Sequence, residues 1–444
     1  MAALKINIIT LGCSKNTVDS ENIGGHLVSA GCQVYFDRQR NDCDIVILNT
    51  CGFIGDAKEE SVNMLLQQIA CLESFNRRHK SDGRRRHLIA VGCLVERYRH
   101  ELQEEMPQVS AWYGVHQWDE LVAAIRSLAA EPTTAQPFTS QRSLSTPSHY
   151  AYLKISEGCN RSCSYCAIPL IRGKHQSRPI EEIVDEACRL VSQGVKELIV
   201  IAQDTTYYGL DLYGRRCLGD LLNLLATRSG AEWIRLHYTY PASFPLDAIE
   251  AMRQHPNICN YIDIPLQHIN TRLLHSMQRG VDRAETLRLL QHFRQSLPDV
   301  SIRTTLIVGY PGETEAEFEE LKQFVADAQF DRMGCFAYSP EEGTPAQTLG
   351  DPVPEEVKQQ RIDELMALQQ SISLQKNEAK VGRTFRVLVD RREGDYYIAR
   401  TEYDSPDIDD EVLIPVTKRI PIGSFCRVCI TQALEHDLMA RLVE

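Results

Sequence analysis

Cys159, Cys163 and Cys166 stand in the run Ser156-Glu157-Gly158-Cys159-Asn160-Arg161-Ser162-Cys163-Ser164-Tyr165-Cys166, with three residues between the first pair and two between the second. Three thiolates are one fewer than the four that complete a [4Fe-4S] cluster, which leaves one iron open to a ligand that is not protein. An open iron can chelate the amino and carboxylate groups of S-adenosylmethionine and pass an electron to its sulfonium, which yields a 5′-deoxyadenosyl radical. The cofactor then carries the chemistry and the protein aims it. A structural zinc site is the other reading, but zinc sites close four ligands, usually from paired C-x-x-C elements or C-x-x-C with H-x-H. No fourth ligand follows here, because Cys188 falls in a stretch that reads as helix and suits a small buried apolar residue.

A second set of thiols lies upstream. Lys5 to Thr10, Asp44 to Asn49 and His87 to Val91 read as buried parallel strands, with Ser20 to Ala30 and Ala57 to Cys71 as helices between them. Leu11-Gly12-Cys13, Asn49-Thr50-Cys51-Gly52 and Val91-Gly92-Cys93 fall at the ends of these strands. Parallel strands place their carboxyl ends on one edge, where ligands bind in open α/β sheets. Three thiols far apart in sequence are therefore expected to converge there as a second three-thiolate site. The competing reading is three small residues at tight turns that the neighbouring glycines supply.

Both sets need elements to position them. Residues 1–130 read as an open parallel α/β sheet, and the Ser/Thr/Pro-rich stretch 131–148 as a linker. From 149 to 375 the candidate strands Ala151 to Ser156, Glu197 to Ala202, Trp233 to Tyr238, Tyr261 to Leu266, Ile302 to Val308 and Met333 to Tyr338 alternate with helical stretches. Six such units suggest a partial (β/α)6 barrel with its active face at the strand carboxyl ends. A polar helical run, Pro352 to Lys380, leaves that barrel. In 376–444, short strands at Gly382 to Asp390, Tyr396 to Glu402, Glu411 to Pro415 and Ser424 to Thr431 read as a small antiparallel β-barrel.

A chain of 444 residues with 43% hydrophobic and 24% charged residues reads as a soluble protein of several domains. Its start has neither the basic region nor the apolar core of a signal peptide, and no apolar run approaches a bilayer span. The expected location is the cytoplasm, where fifteen cysteines suit metal ligation better than disulfides. A net charge of −12 argues against a general polyanion binder, and the six Lys and Arg within 77–86 read as a solvated loop. The last 62 residues, from Arg383, hold nine Lys plus Arg against twelve Asp plus Glu, with a strongly acidic tract at Glu402 to Glu411. Such a face is expected to repel phosphate and attract Lys- and Arg-rich protein.

Over essentially its whole length the chain resembles the radical S-adenosylmethionine methylthiotransferases. The residues that carry the resemblance are Gly12-Cys13-Ser14-Lys15-Asn16-Thr17-Val18-Asp19-Ser20-Glu21, Asn49-Thr50-Cys51-Gly52-Phe53-Ile54 and Tyr150 through Cys159. Within that family it is most similar to the branch that methylthiolates the β-carbon of an aspartate in ribosomal protein S-twelve. The alternative is the MiaB-like branch acting on isopentenyl-adenosine in tRNA. The resemblance implies two [4Fe-4S] clusters, one on Cys159, Cys163 and Cys166 and an auxiliary one on Cys13, Cys51 and Cys93. It implies S-adenosylmethionine as cofactor, a TRAM-like terminal barrel and an electron donor such as flavodoxin or ferredoxin. It assigns no catalytic residue beyond the cluster ligands. Ile307-Val308-Gly309-Tyr310-Pro311-Gly312-Glu313 matches the family's segment near the adenosylmethionine, with Gly309, Gly312 and Glu313 as contacts. Gln203, Arg303 and Tyr165 are further cofactor contacts on the same basis, against the alternative that they fill the barrel mouth or shield the cluster. A non-catalytic iron-sulfur carrier would use the cysteines but leave the half-barrel without a task.

Overall fold

The computed structural model describes residues 3–39, 42–81, 83–128 and 142–443. It divides into two compact units, Met1–Ser145 with Ala167–Lys174, and Thr146–Cys166 with His175–Glu444. Most of the stretch expected to be a linker lies outside the described residues. Its last part does not behave as one, since the Ser145 amide and hydroxyl both donate to buried Glu21.

The first unit is built on a parallel sheet of β1 (Lys5–Thr10), β2 (Gln33–Phe36), β3 (Ile45–Thr50), β4 (His87–Gly92) and β5 (Ala111–Tyr113) in the order β2-β1-β3-β4-β5. Alternate residues of one strand feed two separate cores. Ile45 and Ile47 pack with Ile23 and Leu27 on one face, whereas Val46 and Leu48 pack with Leu65 and Leu94 on the other. Burial on both faces explains the near-continuous apolar runs. The order reverses direction between β1 and β3, and in doubly wound sheets the ligand crevice opens at that switch point. Cys13 and Cys51 follow these two strands.

In the second unit β6 (Tyr150–Lys154) is followed by two-residue strands β7 (Ser156–Glu157) and β8 (Gln176–Ser177), which pair antiparallel. Then come β9 (Glu197–Ile201), β10 (Trp233–Leu236), β11 (Ile258–Asp263), β12 (Ser301–Val308) and β13 (Arg332–Ala337). The six-stranded sheet runs β13-β12-β11-β10-β9-β6, all parallel and in sequence order, and does not close. The helix Glu355–Glu378 packs Leu365 and Ile372 inward, and Gln369 donates to Phe330 O at 2.9 Å. A closed barrel follows, from β14 (Thr384–Glu393), β15 (Tyr396–Thr401), β16 (Val412–Pro415), β17 (Phe425–Ala433) and β18 (Leu438–Leu442). Four of its pairings are antiparallel, and the β16–β18 pairing that completes the ring is parallel.

The acidic tract is not wholly a surface face. Asp404, Ser405 and Asp410 are buried while Asp407 and Ile408 are exposed, and the barrel's partners Tyr150, Arg332 and Glu197 stand where β6, β13 and β9 begin. Arg332 Nη2 bonds Asp404 at 2.7 Å and Asp410 at 2.9 Å, Arg303 faces Asp409 at 3.4 Å, and the Tyr261 hydroxyl donates to Asp409 at 2.7 Å. Beside them Glu197 lies between Arg235 at 2.7 Å and Arg400 at 2.8 Å, all three buried. These carboxylates match buried guanidinium groups, so composition misread an internal plug as a docking surface.

Candidate metal centres

In the first unit the three strand ends meet. Leu11 N bonds Asn49 O at 2.9 Å, which brings the β1 exit beside the β3 exit. Gly12 has φ +91°, and a Cβ there would lie 2.7 Å from Cys51 Cβ. Gly52 rests on the next exit in the same way, since its Cβ would lie 2.7 Å from Leu94 Cα. β4 pairs beside β3 with Gly92 opposite Thr50, so Cys93 leaves its strand beside Cys51. Thus Cys13, Cys51 and Cys93 converge, as the parallel topology requires.

Asn16 locks the arrangement. Its buried carboxamide donates to Leu11 O at 2.8 Å and Thr50 O at 3.1 Å, while its Oδ1 lies 3.7 Å from Cys93 Sγ. Asn49 Nδ2 returns a bond to Asn16 O at 2.9 Å, and the Ser61 hydroxyl bonds both the amide and the carbonyl of Cys51 at 2.9 Å. Cys13 caps the helix Ser14–Ser29 and Cys93 opens the helix Cys93–Glu105, so both residues stand at positive helix ends, where negative charge is favoured in general. Burial works the other way, pushing the Cys93 thiol up to about 12 against the nearby Arg172 guanidinium and raising Cys51 as well. Arg172, from the helix Ile168–Arg172, places Nη2 3.4 Å from Cys93 Sγ.

In the second unit the loop between β7 and β8 carries the other triad. Cys163 is buried and Cys159 and Cys166 partly so. Arg279 Nη1 lies 3.3 Å from Cys163 Sγ and 3.2 Å from the Tyr165 hydroxyl, and Tyr240 OH stands 3.4 Å from the same sulfur. The guanidinium groups of Arg161 and Arg279 stack on the Tyr240 ring, at 3.9 and 4.1 Å from its centroid. Arg161 is held by Asp204 at 2.6 Å, and its amide points at Cys159 Sγ from 3.4 Å. Burial pushes the Cys159 thiol up to about 11. The Ser164 hydroxyl donates into the chain at Ser276 O, 2.8 Å away, which pins the loop's centre. Cys188 lies instead in the helix Ile180–Ser192 with its sulfur against Arg228 O. Among the described residues no group of three or more His, Cys, Asp or Glu side chains stands close enough together to hold a metal ion.

The remaining expected contacts divide into two kinds. Gln203 donates to Glu157 Oε1 at 2.9 Å, and its own Oε1 is buried without a hydrogen-bond partner, as is Ser156 Oγ. Tyr165 is half-buried and packs beside Cys163 and Cys166. Arg303, by contrast, already faces Asp263 at 3.3 Å and Asp409. Gly309 has φ +71°, and a Cβ there would lie 2.9 Å from Lys358 Cδ, so packing of that lysine requires the glycine. Gly312, at φ +81°, meets only Arg272 at 3.8 Å. Glu313 is buried, accepts from Gly309 N and faces His268 and Arg361. The segment's glycines and carboxylate thus have turn-forming and packing tasks of their own. Asn16, Arg172, Arg161, Tyr240 and Arg279 escaped the sequence reading. Only Asn16 and Arg161 had a signal, their place within three residues of a cysteine.

Known proteins resemble this chain segment by segment. The Radical SAM superfamily matches residues 153–325, an uncharacterized protein family, UPF0004, matches 5–114, and the TRAM domain matches 381–443. The ribosomal protein uS12 methylthiotransferase RimO of Phocaeicola vulgatus is 52% identical over 441 residues, 99% of each chain. That of Flavobacterium psychrophilum is 52% identical over 439 residues, 98% of this chain and 97% of its own. Among solved structures, the radical S-adenosylmethionine methyltransferase TsrM from Kitasatospora setae aligns over 88% of this chain and 79% of its own with TM-score 0.54. Its 13% identity makes that a likeness of fold alone. With half its residues identical from end to end, and both triads at strand exits, this chain belongs to the RimO family of ribosomal protein uS12 methylthiotransferases.

Proposed function

We propose that the chain adds a methylthio group to the β-carbon of an aspartate in ribosomal protein uS12, with Cys159, Cys163 and Cys166 holding one [4Fe-4S] cluster and Cys13, Cys51 and Cys93 a second. The observation that carries this reading is the convergence of three thiols, drawn from three strand ends, in a chain that has a separate radical-type triad. When bound, the clusters and S-adenosylmethionine supply one-electron chemistry able to act on a carbon-hydrogen bond too weakly acidic for a general base. An external donor of the flavodoxin or ferredoxin class provides the electron.

The chain's own residues bind, orient and exclude water. Gln203 Oε1 and Ser156 Oγ are unpartnered buried atoms beside the loop, suited to a polar cofactor group. The Arg161 backbone amide points at Cys159 and the Arg279 guanidinium at Cys163, so each of these sulfurs faces an N–H donor. Tyr165 and Tyr240 cover Cys163. The Asn16 carboxamide fixes the separation of two strand exits before any metal arrives.

Two measurements test the proposal. Mass spectrometry of uS12 and of tRNA from a strain lacking the enzyme should show the methylthio group lost from uS12 and retained on tRNA. Loss from tRNA alone would reject the substrate assignment and favour the tRNA branch. Iron and sulfide quantitation should give about two clusters in the wild type and about one when Cys159, Cys163 and Cys166 are all replaced by alanine.

A further inference from the structure

We propose that Arg172 sets the reduction potential of the cluster on Cys13, Cys51 and Cys93, an inference that rests on the ligand assignment above. Arg172 is buried within the first unit. Its Nη1 bonds Asp19 Oδ2 at 2.7 Å, and its Nη2 bonds Asn16 Oδ1 at 2.6 Å and points at Cys93 Sγ from 3.4 Å. A guanidinium fork is planar and rigid, so fixing one nitrogen on Asp19 and the other on Asn16 dictates where the remaining N–H points. It points at a ligand sulfur.

A hydrogen bond and a positive charge at a ligating sulfur stabilise the reduced cluster, which carries one more electron, relative to the oxidised one. Arg172 therefore raises the potential. Asp19 bears on the same fork with the opposite charge and holds the potential down. Asp19 lies on the helix that Cys13 caps, three residues beyond Asn16, so the opposing charges come from different segments of the unit. The segment Ala167–Lys174 that carries Arg172 continues directly from Cys166. A side chain supplied by the first triad's loop thus tunes the second triad's metal. A purely structural Arg172–Asp19 pair would need no sulfur within reach.

The test uses the full-length chain with Cys159, Cys163 and Cys166 replaced by alanine, so that only one cluster remains. It is reconstituted anaerobically and titrated with dithionite by EPR, following the one-electron couple from the 2+ to the 1+ cluster. Arg172→Gln should lower the potential, Arg172→Lys should recover part of the loss, and Asp19→Asn should raise it. Thermal melts of the metal-free chains should show both Arg172→Gln and Asp19→Asn destabilised, because each breaks the same buried pair. Opposite potential shifts with a shared loss of stability are what a merely structural role would not produce. Unchanged potentials, or shifts of one sign, overturn the inference. If Arg172→Gln holds no iron, Asp19→Asn decides alone. If the triple alanine parent takes up no cluster, the ligand assignment itself fails.

Discussion

Asn16 holds the strand ends together through two carbonyls, Leu11 O and Thr50 O, that have to be satisfied inside the protein. A buried acceptor left without a donor costs about 1–3 kcal/mol. Asn16→Ala should therefore lower the unfolding free energy of the metal-free protein by about 2–5 kcal/mol, measured by urea denaturation. Ser61→Ala removes one hydroxyl that serves Cys51 N and Cys51 O, so its loss should be smaller, about 1–3 kcal/mol. A reversed ranking would mean that the backbone exits are held by the sheet itself. The place of the cysteines after the strands was legible, because spacing and neighbouring glycines are local signals. The residues that orient them were not, since Arg279 and Cys163 are separated by 116 positions and a buried arginine looks like any other in sequence.

Among elements, legibility followed burial. Strands buried on both faces give continuous apolar runs, which placed β1, β3, β4 and the six strands of the half-barrel. The edge strands β2 and β5, of four and three residues, gave no such signal, because an edge strand is short and only partly covered; β18, paired on both sides in the closed barrel, is five residues with only two of them buried. The acidic tract shows the converse error, in which charge marked an element as exposed when its partners were distant arginines. Its plug has a titration signature. Burial raises Asp410 from 3.8 to about 6, against the pull of Arg332, while Asp404 stays below its ordinary range because Arg332 and Lys380 outweigh its burial. The folded state holds the Asp410 proton more tightly than the unfolded chain does. That contribution is fully present below pH 3.8 and is lost as pH rises through about 6. Asp410→Asn lacks it. The stability of this variant relative to wild type should rise by about 1.4 kcal/mol between pH 5 and pH 7.5, read from melts at both values; a difference independent of pH would show that Asp410 is ionised throughout.

At the scale of the molecule, the terminal barrel has its own core of Val387, Val389, Ala399, Val412, Ile414 and Val428, which is the mark of a separable module. Its buried ion pairs and contacts argue otherwise. Asp404 and Asp410 are the partners of buried Arg332, Asp409 faces Arg303, Arg400 faces Glu197, and Asp390 bonds His149 at 2.8 Å. Leu388 and Phe425 cover Trp233 and Tyr261. Stripping one partner from a buried ion pair costs about 3–5 kcal/mol, and removing the barrel strips several at once, against a total stability of about 5–15 kcal/mol for a typical domain. A chain ending at residue 380 should therefore fail to accumulate as soluble protein, or be cut within the half-barrel under limited proteolysis that leaves the full chain intact. Arg332→Ala in the full chain should cost about 3–5 kcal/mol through two stranded carboxylates. If the shortened chain melted cooperatively at the full chain's temperature, the barrel would be an appended module. Failure to fold would make it the floor of the half-barrel, with the second unit folding as one cooperative body.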